Sequence, residues 1–152
     1  MKPQPGKQQL GKQQKMEGVL TLETVDGDGL RFAARIGDRT LVLDSSQGAT
    51  AANPVQALLA AIAACCAMDV IEILRKKRQR VTAYEIHMSG ERAKEHPRRF
   101  LSIACVHRLT GHGLDRQAAE HALQLSLEKY CSVSHCLRPD LAVTHRIEIV
   151  EV

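Results

Sequence analysis

An α+β fold, with antiparallel sheet packed on two main helices, is what the chain predicts, and three observations carry it. Extended, alternating stretches lie both before and after one long apolar segment at 54–77. That segment holds a single proline, at its first position, and no glycine. A second, shorter stretch repeats its apolar residues at helical spacing near 116–130. Strands grouped on either side of helices, with no regular strand–helix alternation, make a layered α+β domain.

The elements follow in order. Residues 19–25 alternate and run into Asp26-Gly-Asp-Gly29, a hairpin signal. Strands are expected at 30–36 and 40–43, separated by Gly37-Asp38, and 44–53 reads as a Ser/Gly/Thr-rich loop. Pro54 then sits where a proline opens a helix, with Asn53 before it as N-cap. The helix to Lys77 would run about 36 Å at 1.5 Å per residue. Its first half is apolar all round, the mark of a segment enclosed by protein. Its second half is amphipathic and ends in the cations Arg75, Lys76, Lys77 and Arg78.

Strands resume at 81–89 and 101–109, and Gly111-His-Gly113 interrupts the chain. Asp115 can cap the second helix, whose Ala119, Leu123, Leu127 and Tyr130 share one face. A turn or short helix at 131–137 and a last strand at 141–150 complete about six strands. One chain of this size has difficulty covering a long helix on all sides. An intertwined homodimer, two sheets enclosing central helices, is therefore expected.

Length and composition bound the function. The 152 residues suit one domain at 17–152, with residues 1–16, rich in Gln, Lys, Pro and Gly, as a disordered tail. The tail has no apolar h-region, which points to a cytoplasmic protein with its five cysteines mostly as thiols. The longest unbroken apolar run is 57–68, too short for a membrane span and suited to a core helix. Aromatic residues make up only 3% of the chain, which argues against a base-stacking platform. The cations at 75–80 suit a helix C-terminus, and no nucleic-acid partner is expected.

Cys65 and Cys66 lie midway along the apolar helix, and Cys131 and Cys136 lie just beyond the second. Buried cysteines commonly pack as small hydrophobes, and Cys105, within a strand, reads as core. Position alone favours Cys131 as a reactive thiol, because it stands nearest a helix N-terminus. Zinc ligation by Cys131, His135 and Cys136 with Cys65 or Cys66 is a rival of loose spacing. The seven histidines are scattered singly and read as surface or satisfied residues.

The segments NPVQALLAAIAAC at 53–65, CAMDVIEILRKKR at 66–78 and KYCSVS at 129–134 carry a resemblance to the OsmC/Ohr family of thiol-dependent peroxidases. Their Met-Asp-Val and Lys-Lys-Arg continuation is similar to the YhfA-like branch. The likeness spans 17–152 and includes the strand and helix order. It implies an α+β homodimer with its active sites at the subunit interface. It implies that Cys65 attacks an organic hydroperoxide, or more weakly an inorganic one, and becomes a sulfenic acid. Cys131 would resolve this as a disulfide, and a lipoyl-type dithiol would restore both thiols, with no metal or organic cofactor.

A thiol of pKa about 8.5 is largely protonated at neutral pH, so a nearby cation is needed. The resemblance implies an arginine of the N-terminal strands, Arg31 or else Arg35. Family members commonly hold that arginine with a glutamate directly after the helix-opening proline. This chain has Val55 there and then Gln56, which can orient an arginine but brings no charge. Ser132 stands where the family favours proline. These departures leave open a catalytically altered relative that binds a small molecule or senses oxidants.

Overall fold

The computed structural model describes residues 13–23 and 29–152. The expected tail up to residue 12 and the turn at 26–28 lie outside the described residues. The chain forms two compact units, 1–53 and 54–152.

The first unit is a three-stranded antiparallel meander of β1 (Gly18–Leu22), β2 (Arg31–Ile36) and β3 (Arg39–Asp44). Ile36 pairs with Arg39, so Gly37 and Asp38 alone make the β2–β3 turn. Gly37 has φ of 59°, as the first central position of a type II′ turn requires. The loop after β3 is tied back on itself. The Ser46 amide donates to Asp44 Oδ1 at 2.8 Å, and Ser46 Oγ accepts from the Leu30 amide at 2.9 Å. Val19, Leu20, Leu30, Ile36 and Leu41 remain exposed within this unit.

The second unit begins with α1 (Pro54–Lys76), close to the predicted span. Its C-terminus is a Schellman motif. The Gln79 amide donates to the Leu74 carbonyl and the Arg78 amide to the Arg75 carbonyl, and Arg78 takes the left-handed conformation at φ 57°. Next come β4 (Arg80–Arg92), β5 (Phe100–His112) and α2 (Arg116–Leu125). A π-helical turn (Ser126–Tyr130), α3 (Ser132–His135) and β6 (Ala142–Glu151) follow. Asp115 caps α2 as expected, its Oδ1 accepting from the Gln117 amide at 3.1 Å.

One expectation of topology is overturned. The sheet is not wholly antiparallel: β5 pairs antiparallel with β4 but parallel with β6. The chain leaves β5 at Gly113, returns through α2 and α3, and re-enters in the same direction. A crossover with helices is the connection a parallel pair needs. Gly111 and His112 also belong to β5 and do not interrupt it, so the break falls at Gly113 alone.

Helix α1 packs one face on this sheet and on α2. Ile62, Cys66, Val70 and Leu74, at four-residue spacing, are almost wholly buried. They meet Phe100, Ile103 and Cys105 near one end, and Leu109, Ala119, Ala122 and Ile147 near the other. On the opposite face Leu58 is 41% exposed and Met68 69%. By length and composition α1 would suffice to cross a membrane, its best window having a mean hydropathy of 2.2.

Two tests follow from this architecture. A Cβ on Gly111 would collide with the Arg80 carbonyl oxygen, in the backbone of the paired strand. Gly111→Ala should therefore cost about 1–3 kcal/mol in urea unfolding, and a neutral result would show that β4 yields freely. In the first unit, hydrogen bonds from Ser46, then Arg31, hold the Asp44 carboxyl below its ordinary range. A depressed folded value gives stability that is present above the unfolded pKa of about 3.9 and lost as pH falls. The Ser46 amide should lose hydrogen-exchange protection below about pH 4, and undiminished protection there would contradict this.

Candidate functional site

The second unit brings together the two cysteines that the sequence singles out. Cys65 projects from the middle of α1 and is partly exposed, whereas Cys131 is fully buried where the π-helical turn ends. The two sulfurs and a carboxylate oxygen of Asp69, one turn beyond Cys65, all lie within 4.8 Å of one another. The Cys131 amide closes the π-helical turn on the Ser126 carbonyl at 2.8 Å. Turns of this kind are frequent at functional sites. The chain then folds immediately into α3, which places Val133 and Ser134 around the thiols.

Hydrogen bonds specify the arrangement further. The Val133 backbone amide and the Cys131 thiol both act on Cys65. Cys131 Sγ and Ser134 Oγ are 3.0 Å apart. Ser126 Oγ, fully buried, donates to Asp69 Oδ2 at 2.8 Å and also meets the Cys66 thiol. Burial is the main influence on Cys65 and pushes its thiol up; the Val133 amide opposes this, while Cys131 and Asp69 add to it. The carboxylate thus works against ionisation of the thiol, which sharpens the need for a cation.

Arg31 lies on β2 in the first unit. Its Nε donates to Glu23 Oε2 at 2.9 Å, and its Nη1 is 3.6 Å from Asp44 Oδ2. Arg35, on the same face of β2, is exposed. In the second unit Gln56 is exposed in the first turn of α1, and Val55 is half-buried. Val55 helps line an apolar cavity of about 370 Å³ with Leu58, Phe100, Val133 and Leu141, while Arg98, Arg99 and Arg138 also contribute to its wall. Val133 belongs both to this cavity and to the thiol pair.

The suggested zinc set is not assembled as the sequence allowed. Cys136 is exposed, and His135 Nδ1 donates to the Cys131 carbonyl at 2.9 Å, so its ring is turned to the backbone. Two of the histidines that lie scattered in the sequence meet in space. His107 and His145 lie on adjacent strands, where Cys105 pairs with His145. His107 Nε2 is 2.9 Å from His145 Nδ1, and Tyr84 Oη is 2.7 Å from His107 Nδ1. Burial pushes His107 down to about 4 and His145 lower than usual, so both rings are neutral at pH 7. The usable signal was strand parity: His107 shares its face with Cys105 and Leu109, both core residues.

The Ser126–Asp69 bond is testable apart from any activity. Hydrogen bonds to charged groups contribute about 1.5–3 kcal/mol. Ser126→Ala should lower the stability to urea by that order, because it leaves a half-buried carboxylate without its donor. A change within experimental scatter would remove Asp69 from the structural core of the site.

The chain is similar to a known family and to several known proteins. The model of the family described as OsmC-like protein matches residues 46–146. Protein YhfA of Escherichia coli is 36% identical over 124 residues, which cover 81% of this chain and 92% of YhfA. A hypothetical protein from Aquifex aeolicus superposes with a TM-score of 0.75 at 27% identity, covering 90% of this chain and 98% of that one. The organic hydroperoxide resistance protein OhrB of Bacillus subtilis has a TM-score of 0.58 at 20% identity, covering 87% and 98% of the two chains, a likeness of fold. A family match across two thirds of the sequence, joined to a YhfA-like relative along most of its length, places the chain in the OsmC-like protein family.

Proposed function

We propose that the protein is a cysteine-based peroxidase that reduces organic hydroperoxides, and inorganic ones more weakly. The observation that carries this reading is the meeting of Cys65 and Cys131 within 4.8 Å, one partly exposed and the other fully buried. An accessible thiol backed by a protected one suits a sequence of attack and resolution. The Cys65 thiolate displaces an alkoxide from the peroxide O–O bond, giving Cys65 sulfenic acid and, after protonation, an alcohol. Cys131 sulfur then attacks the sulfenic sulfur, and water leaves as the Cys65–Cys131 disulfide forms. A lipoyl-type dithiol reduces that bridge and is itself oxidised to a disulfide.

The surroundings support each role. The Val133 amide favours negative charge on Cys65. The apolar cavity that shares Val133 suits the carbon skeleton of an organic peroxide. Arg31, with Arg35 as the alternative, supplies the cation that stabilises the thiolate in this reading, and Gln56 orients it. A second copy of the chain would cover the exposed face of α1 around Leu58 and Met68. The five free cysteines suit a reducing, cytoplasmic setting. The name of the OhrB relative is consistent with hydroperoxide chemistry.

Val55 favours a second reading. It places an apolar side chain where the family resemblance leads one to expect glutamate, and it lines the cavity. A protein that binds an apolar molecule or senses oxidants would have the same wall with little turnover.

Mass spectrometry after one equivalent of cumene hydroperoxide separates these readings. The peroxidase should form a Cys65–Cys131 bridge and then consume peroxide catalytically with a dithiol. Cys65→Ser should bring consumption to background, and Cys131→Ser should leave one turnover with a trapped or overoxidised Cys65. Retained turnover in Cys65→Ser would sink the assignment. Arg31→Ala should lower kcat/KM about tenfold or more, whereas an effect confined to Arg35→Ala would transfer the role. Light scattering should give twice the chain mass, and a monomer would remove the proposed cover of α1.

A further inference from the structure

A second cluster lies beneath the thiol pair and is not needed for peroxide chemistry. Cys66 on α1, His107 on β5 and His145 on β6 each offer one donor atom, and the three atoms lie within 4.8 Å of one another. Cys66 and His107 are at most 1% exposed. The parallel register builds this convergence. Cys105 faces His145 across the β5–β6 pair, and His107, two residues on, shares the face of Cys105. Helix α1 lays Cys66 over them through the same buried stripe that holds Ile62, Val70 and Leu74.

We propose that Cys66, His107 and His145 form a binding site for one zinc ion. A thiolate with two neutral imidazoles is the borderline-soft donor set that zinc prefers, and three protein ligands leave a fourth position for water. Tetrahedral zinc, with bonds of about 2.0–2.1 Å to nitrogen and about 2.3 Å to sulfur, sets its donor atoms roughly 3.3–3.7 Å apart, and donor atoms that lie within 4.8 Å of one another must readjust to that spacing. The other ring nitrogen of a zinc-bound histidine normally has a hydrogen-bonding partner. Tyr84 Oη already occupies that place on His107 Nδ1 at 2.7 Å. His145 Nε2 is buried with no hydrogen-bond partner, a polar atom that the apo site leaves unsatisfied. The ion displaces one hydrogen bond, that between the two rings.

Binding balances simply. Zinc(II) takes up the Cys66 sulfur and two neutral imidazoles, and the Cys66 proton goes to solvent, leaving a net charge of +1. His145 also lies in the wall of a cleft of about 530 Å³ between α2 and β6, together with Glu120, Glu128, Arg116 and Arg146. The bound ion would pin α1 to β5 and β6.

The test uses reduced, chelator-stripped full-length protein and zinc chloride or cobalt chloride as probes. One zinc per chain should bind in equilibrium dialysis, and zinc should raise Tm through linkage to the folded state. Cobalt should give a thiolate charge-transfer band. The band and the stoichiometric zinc should be lost in Cys66→Ser and His107→Phe and kept in Cys65→Ser and Cys131→Ser. Tyr84→Phe removes no ligand and serves if the ligand variants fail to fold; it should weaken zinc about 10–100-fold. Absence of stoichiometric zinc, loss of the band in Cys131→Ser with retention in Cys66→Ser, or unchanged affinity in Tyr84→Phe would each overturn the site. None of these readouts uses peroxide, so zinc binding and peroxidase activity fail or succeed separately.

Discussion

The packing of α1 against the sheet of β4, β5 and β6 is the constraint from which the chemistry of this unit derives. That packing buries a stripe of the helix at four-residue spacing, and the stripe runs through Cys66. Its immediate neighbour in sequence, Cys65, is thereby turned about 100° around the axis, toward the side where α3 and Cys131 arrive. Two adjacent cysteines so serve two different surroundings. One meets a second thiol, a carboxylate and a backbone amide; the other meets imidazoles on the sheet.

Much of this was legible in the sequence because local signals were strong. Pro54 opened α1, the Asp115 side chain capped α2, and period-two alternation marked the strands of both units. The cysteine pair became legible through family resemblance, since nothing local to Cys65 or Cys131 discloses that they touch. The direction of β6 was not legible, because alternation is identical for parallel and antiparallel partners. Only the return of the chain through two helices decides it. The histidine pair was hidden for the same reason: His107 and His145 meet only once the register between β5 and β6 is known. The apolar composition of α1 reports that its surface needs cover, without saying which chain provides it.

Membership of the OsmC-like family explains the frame more than the details. This chain departs from the pattern that the resemblance leads one to expect at Val55, where an apolar wall stands in place of a charge. Burial makes Cys65 harder to ionise, so the site depends on charge brought to it. In the proposed mechanism that charge comes from an arginine on a strand of the first unit.

The π-helical turn at Ser126–Tyr130 has a consequence of its own. It contributes one more residue per hydrogen-bonded ring than an α-helical turn, and Cys131 follows directly after it. Shortening that segment by a single residue would swing the position of Cys131 by about 100° and draw it back by about 1.5 Å. The meeting of the sulfurs is therefore gauged by chain length as much as by residue type. A deletion that touches neither cysteine would be enough to part them.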